Sequence, residues 1–100
     1  GKAVLAFNSG NVLYVSFYDG AAWSVPAAVP AVTVSGAPAV AHGVAGAVAE
    51  LAYIDSVSTK VFHARCPSLG GGGNCSLWST PVKISDALMP NGSVSIATAP

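Results

Sequence analysis

The chain has 100 residues, 52% of them hydrophobic and only 8% charged, with a formal net charge of zero. Ordinary soluble domains carry roughly 25% charged residues, so little polar surface is available here to cover an isolated domain, and the composition suits a chain that buries much of itself against other copies or more of the same polypeptide. The basic residues Lys2, Lys60, Arg65 and Lys83 are scattered, which excludes the basic face that nucleic-acid binding needs, and no apolar run approaches the roughly 20 residues that span a bilayer.

Taken in order, the sequence is a series of short apolar runs separated by turn residues. Ala3 to Phe7 ends on Asn8-Ser9-Gly10-Asn11. Val12 to Tyr18, rich in β-branched and aromatic residues, closes on Asp19-Gly20, a hairpin signal in which Asp19 reads as the turn residue. Trp23 to Val29 is a third run. Proline cannot donate to a ladder, so Pro26 predicts that this run lies at a sheet edge. A connector through Gly36 leads to Ala37 and to the longest apolar region, which Pro38, His42, Gly43, Gly46 and Glu50 interrupt before Ile54. Ala47 to Ile54 contains helix-favouring Ala, Glu and Leu, but its flanking turn residues leave too short a stretch for a stable helix, and it is predicted as strand. Lys60 to Cys66 and Leu77 to Ser85 complete a set of four runs, and Ser93 to Ala99 stands alone at the end.

These runs repeat. Leu5-Ala6-Phe7 matches Leu51-Ala52-Tyr53, Leu13-Tyr14 matches Val61-Phe62, Trp23-Ser24-Val25-Pro26 matches Trp78-Ser79-Thr80-Pro81, and Gly36 to Ala41 matches Gly92 to Ala97. The matches keep chain order, and the offset jumps only across the glycine run Gly70–Gly73. Labelling the runs of one unit A to D, residues 1–30 hold B-C-D, residues 37–86 hold a full A-B-C-D, and residues 92–99 hold a solitary A.

Cys66 and Cys75 bracket the glycine run. A metal site would need two more ligands, and His63 is the only close candidate, so no metal or cofactor is expected. A disulfide closing a hairpin loop is the better reading, stabilising by about 2–3 kcal/mol in the chain-entropy model, and it points to a secreted, cell-surface or periplasmic location. The chain opens without an initiator Met or a charged-then-apolar leader, which fits a mature form or a piece of a longer chain.

The order Pro-Ala-Val-Ala at 38–41, the run at 47–54, Val-Phe-His-Ala-Arg at 61–65 and Trp-Ser-Thr-Pro-Val at 78–82 resembles a blade of the sialidase-type, or Asp-box, β-propellers. Ser16 to Trp23 resembles a degenerate Asp box, and its Asp-Gly-x-x-Trp form is similar to the small fucose-binding propeller lectins, whose chains also hold two blades. The acidic and basic residues those lectins place just before Asp-Gly fall around Val15 and Ser16 here. The resemblance implies an all-β fold of two four-stranded blades, one completed by strands from both termini. Two blades cannot close a ring, since propellers run from about four to eight, so the chain is expected to close one with copies of itself, a six-bladed trimer being favoured, or to be part of a longer propeller. An eight-stranded β-sandwich is the structural alternative.

For function, the leading expectation is carbohydrate binding in grooves between blades. Trp23 and Trp78 can stack on a sugar face or serve to pack the outer strand. Glu50 and Arg65, the only charges inside predicted strands B and C, can bind sugar hydroxyls or form a structural ion pair. Tyr14, with Tyr18 and Tyr53, can line a groove or pack across strands. His42 and His63 stand isolated. The alternative is a structural or protein-interaction propeller segment without a small ligand. No catalytic residue is expected: the single Arg cannot supply a sialidase arginine triad within one chain, and no Gly-x-Ser-x-Gly is present.

Overall fold

Turn chemistry sets where the strands begin and end. The computed structural model describes residues 1–43, 46–75, 77–86 and 93–97. Strands β1 (Ala3–Ser9) and β2 (Val12–Tyr18) form a hairpin with Ser9 paired to Val12. Its turn is carried by Gly10 at φ 61°, a left-handed conformation open to glycine without a Cβ penalty. Asn8 Nδ2 donates to the Gly10 carbonyl at 3.1 Å. At the other end of β2, Asp19 Oδ1 accepts the N–H groups of Ala21 and Ala22 at 2.8 and 2.9 Å, the turn role expected of it.

The next strand, β3 (Ala27–His42), runs for 16 residues. Its first part pairs with β2, through Val15↔Ala27 and Tyr14↔Ala28 and again at Val12↔Thr33. Its second part pairs with β4 (Ala49–Asp55), through Val34↔Asp55 and Ser35↔Ile54 and again from Ala39↔Ala52 to His42↔Ala49. Each ladder is interrupted where a proline falls, at Pro30 and at Pro38. Neither has an N–H to give, and Ala31 and Gly36 beside them turn the backbone to positive φ. Strand β5 (Val61–Cys66) pairs with β4, and the short β6 (Val82–Lys83) pairs with β5. The result is one open antiparallel sheet in the order β1-β2-β3-β4-β5-β6.

The all-β expectation holds, and the region around Ala47 to Ile54 forms strand β4. Strand boundaries differ from the sequence reading at three places. Only Ala27 onward of the predicted Trp23–Val29 run is strand, and it merges with the run beginning at Ala37 into β3. Pro26 stops the ladder before that point, leaving Trp23 joined to Tyr18 by a single bridge. The predicted Leu77–Ser85 strand shortens to β6. Residues 93–97 pair with no strand among the described residues, and positions 92, 98 and 99 of that predicted run lie outside them.

The repeat seen in the sequence recurs in atomic detail. Phe7 pairs with Tyr14 across the first hairpin and Tyr53 with Phe62 across the second. Both pairs are stacked, with centroids 5.5 and 5.9 Å apart and ring planes 17° and 15° from parallel. The two Trp-Ser-x-Pro segments act alike as well. Ser24 N donates to the Phe17 carbonyl while Ser24 Oγ accepts Phe17 N, at 2.8 and 3.0 Å. Ser79 N donates to the Arg65 carbonyl while Ser79 Oγ accepts Arg65 N, both at 2.8 Å. The serine thus clamps the last turns of each hairpin where a following proline prevents a continuous ladder.

Strand alternation sends Leu13, Val15 and Phe17 of β2 to one side of the first hairpin, where they join Val29, Val32 and Val34 of β3. The same cluster takes in Ala49, Leu51 and Tyr53 of β4 and Cys66 of β5. The sheet therefore bends through β3 and sets its two hairpins face to face. Strand β4 is buried from Ala49 to Ile54 on both of its faces, which explains why helix-favouring residues are held extended there.

Replacing Ser24 or Ser79 with Ala removes the acceptor for a backbone N–H and is expected to destabilise the fold by about 1 kcal/mol. Ser24→Ala carries the greater loss, because its hydroxyl also donates to Asn74 Oδ1 at 2.7 Å. Urea denaturation of the two variants measures this, and a neutral result for both would remove the clamp from the account.

Candidate functional site

A cleft of about 480 Å³ opens between the two hairpins. One wall is the end of the first hairpin, with Tyr18, Asp19 and Trp23; the opposite wall is the disulfide loop, with Ser68, Leu69, Gly72 and Gly73. Phe17 and Val48 lie between them, and Lys2 and His42 add polar groups. The Asp19 turn directs the chain back so that Trp23 bridges to Tyr18, and their rings sit 5.3 Å apart at 43°. Trp23 nevertheless remains 50% exposed and lines the cleft together with Asp19. Asp19 is held below the usual carboxylate range by the backbone N–H of Ala22, then by that of Ala21.

The loop wall is fixed by covalent and hydrogen-bonded ties. Cys66 and Cys75 form the expected disulfide. Gly70 N donates to the Asn74 carbonyl at 2.7 Å, and Asn74 reaches across to the first hairpin, its Oδ1 accepting from Ser24 Oγ and its Nδ2 donating to the Val25 carbonyl at 2.9 Å. The glycine run forms a 3-10 turn at Gly71–Gly73 with Gly72 at φ 77°. A loop too flexible to hold a wall by itself is thus latched at both ends.

A second polar cluster lies on the face of β4 and β5 turned away from the core. Glu50 pairs directly with Arg65 across the ladder, and its side chain is only 5% exposed. Glu50 Oε1 sits 2.7 Å from His63 Nε2 and accepts Arg65 Nε at 3.2 Å. Burial pushes the Glu50 carboxyl up, but the hydrogen bonds from His63 and Arg65 and their charges outweigh it, leaving the carboxyl below its ordinary 4.5. An ionised carboxylate can only accept, so His63 donates to it from Nε2. Glu50 Oε2 lies 3.0 Å from Arg65 Nε, close enough for charge attraction. The Nε–H is aligned with Oε1 instead, and Oε2 is buried with no hydrogen-bond partner among the described residues.

The residues singled out in the sequence therefore separate. Glu50 and Arg65 come together, with His63 as an unforeseen third member that strand alternation from Arg65 would have found. Trp23 lines the cleft. Its repeat equivalent Trp78 packs instead against the core cluster. Tyr14 stacks on Phe7 on the outer side of the first hairpin, and Tyr53 is a core residue whose hydroxyl is pushed up to about 12, by burial first and by Asp55 second. The cleft residues Asp19, Leu69 and His42 carried no binding signal in the sequence. Among the described residues no three His, Cys, Asp or Glu side chains gather as a metal site. Compared with protein-family models, with curated proteins and with solved structures, the chain matches none.

The four acidic residues of the chain share one electrostatic condition. Asp55 is raised by burial but lowered more by the N–H of Ser58 and its other donors, and Asp86 is lowered by Lys83. With Asp19 and Glu50, all four are held below their ordinary values, 3.8 for Asp and 4.5 for Glu. A group whose pKa falls on folding stabilises fully above its unfolded value and loses that contribution as pH drops through its folded value. Stability is thus expected to stay level around neutral pH, to decline progressively below about pH 4.5, and to fall again above about pH 10, where the unfolded chain ionises the tyrosine hydroxyl that the fold keeps protonated at Tyr53. Glu50→Gln should flatten the part of that decline that Glu50 contributes. Thermal melts from pH 7 to pH 2 measure both, and parallel acid limbs for the two proteins would show that Glu50 is not held in this way.

Proposed function

We propose that the chain is a carbohydrate-binding, lectin-like module whose ligand sits in the cleft between the two hairpins. The observation that carries this reading is the half-exposed Trp23 ring in a cleft that also offers Asp19, Ser24, His42 and Ser68. A sugar presents C–H groups on one face and hydroxyls around its rim. An open indole face with carboxylate, hydroxyl and imidazole groups nearby matches that division. The disulfide fits a secreted, cell-surface or periplasmic setting, where glycans are displayed.

In this reading each hairpin, with the Trp-Ser-x-Pro segment that clamps it, is most of a propeller blade, and β3 leads from one blade to the next. The stretch 93–97 corresponds in the repeat to the part of β3 that approaches β4. It would complete the first blade along the free edge of β1 in a neighbouring copy, since within its own chain it lies by the second hairpin, lining a hollow with Ala52, Val61, His63 and Ile84. Copies closing into a ring, three giving six blades, would repeat the cleft, and several weak sites would then act together on a multivalent surface. The exposed apolar faces of the chain favour a second reading, a structural propeller segment whose partner is protein and not glycan.

A glycan array probed with the protein in its native association state tests the choice between them. Binding to one sugar class, weakened roughly tenfold by Trp23→Ala on the scale of an aromatic contact, is the expected outcome. An array blank for every sugar class would remove the carbohydrate reading and leave the structural one.

A further inference from the structure

One wall of the cleft between the hairpins carries a carboxylate and two aromatic rings, at Asp19, Tyr18 and Trp23. Both turn bonds, from the N–H groups of Ala21 and Ala22, end on Asp19 Oδ1, so Oδ2 is not committed to holding the turn. Those same N–H groups keep the carboxyl ionised at neutral pH. Asp19 therefore brings a standing negative charge to the cleft.

Nothing nearby cancels that charge closely. Lys2 also lines the cleft, but its charge is the weakest of the influences that hold Asp19 ionised. The ion pairs among the described residues lie elsewhere, joining Glu50 to His63 and Arg65 and Asp86 to Lys60 and Lys83. A carboxylate in this condition favours a cationic ligand. The rings beside it act in the same direction, because the faces of Trp and Tyr attract cations as well as the C–H face of a sugar. Tyr18 and Trp23 sit 5.3 Å apart and tilted by 43°, and Trp23 is 50% exposed.

One ligand class uses both properties. An amino sugar carries an ammonium on the same rigid ring as its C–H face and hydroxyls, so a ring stacked on Trp23 can turn that ammonium toward Asp19. We infer that the cleft selects amino sugars over neutral and acidic sugars, Asp19 taking the ammonium and Trp23 the sugar face. This selection rests on reading the cleft as a carbohydrate site. Acidic sugars meet the opposite balance. Arg65, the single arginine of the chain, is engaged by Glu50 and lies outside the cleft lining. The cleft thus lacks the guanidinium that best holds a sugar carboxylate, while Asp19 repels it.

Titration of the protein with glucose, glucosamine, N-acetylglucosamine and glucuronate, followed by nuclear magnetic resonance, reads the selection. Glucosamine is expected to bind about fivefold more tightly than glucose or N-acetylglucosamine, the upper range for a solvent-open ion pair, with glucuronate the weakest. Asn accepts the same turn bonds as Asp, so Asp19→Asn should keep the fold, bind glucose as before and lose the preference for glucosamine. Raising the salt from about 0.05 to about 0.5 M should shrink the preference of the native protein, a readout that does not depend on the variant folding. Equal binding of glucosamine and glucose, or a preference that the variant or the salt leaves intact, overturns the selection and leaves the carbohydrate reading standing. Ethanolamine binding as tightly as glucosamine would show a bare cation site and overturns both. A native protein that binds none of these sugars overturns the selection too, and a blank glycan array decides whether the carbohydrate reading falls with it.

Discussion

Two prolines in one strand decide the shape of this protein. Strand β3 begins as the partner of β2 and ends as the partner of β4. A continuous ladder on both sides would make a flat, extended sheet with a single buried face at best. Pro30 and Pro38 withhold the N–H groups that such ladders need, and the positive φ angles at Ala31 and Gly36 turn the chain at the same places. The strand therefore hands the sheet from one hairpin to the other while rotating it. Val29, Val32 and Val34 remain buried in the fold line, and the hairpins meet face to face. The core and the cleft at its end both follow from that hand-over.

The hairpins were legible in the sequence because their signals are local. Asn8 to Asn11 and Asp19-Gly20 mark turns that form as read, and the repeat equates Phe7 with Tyr53 and Tyr14 with Phe62, which the ladders then pair alike. What was not legible is non-local. Whether the stretch 23–29 forms a strand of its own depends on whether a ladder can pass Pro26, and whether it joins the stretch from Ala37 depends on the neighbours that flank both. Strand β4 shows the same limit from the other side. Its residues have helical preferences that a burying sheet overrides, because a strand packed on both faces gains more from apolar contact than a few tenths of a kcal/mol per residue of propensity can oppose.

The cleft was only partly visible for a related reason. Trp23 announces itself by residue type, but the facing wall of its cleft comes from the disulfide loop, whose Asn74 lies 50 positions from Ser24 in the sequence. Nothing in a run of glycines says which way it will lean. The decisive contacts are Asn74 to Ser24 and Val25, a single asparagine that ties the loop to the first hairpin. The repeat was also a misleading guide here. Trp23 and Trp78 occupy equivalent positions, yet the loop that opens a cleft beside the first has no counterpart beside the second among the described residues, and Trp78 packs against the core.

The same asymmetry explains how charge is distributed over the two units. Where the first hairpin places Val4, Val15 and Phe17 against the core, the second places Glu50, His63 and Arg65 on the face away from it. Equivalent backbone positions thus carry apolar residues on the first unit and a carboxylate with an imidazole and a guanidinium on the second. A buried ion pair contributes little to net stability over an apolar pair of similar volume, so packing alone does not account for charge at this place. Polar groups at one of two equivalent positions do make the units unlike: the outer face of the second hairpin cannot take the place of the first hairpin's face in the apolar core. A repeat of two identical units could turn either face inward, whereas this one has the choice written into its side chains.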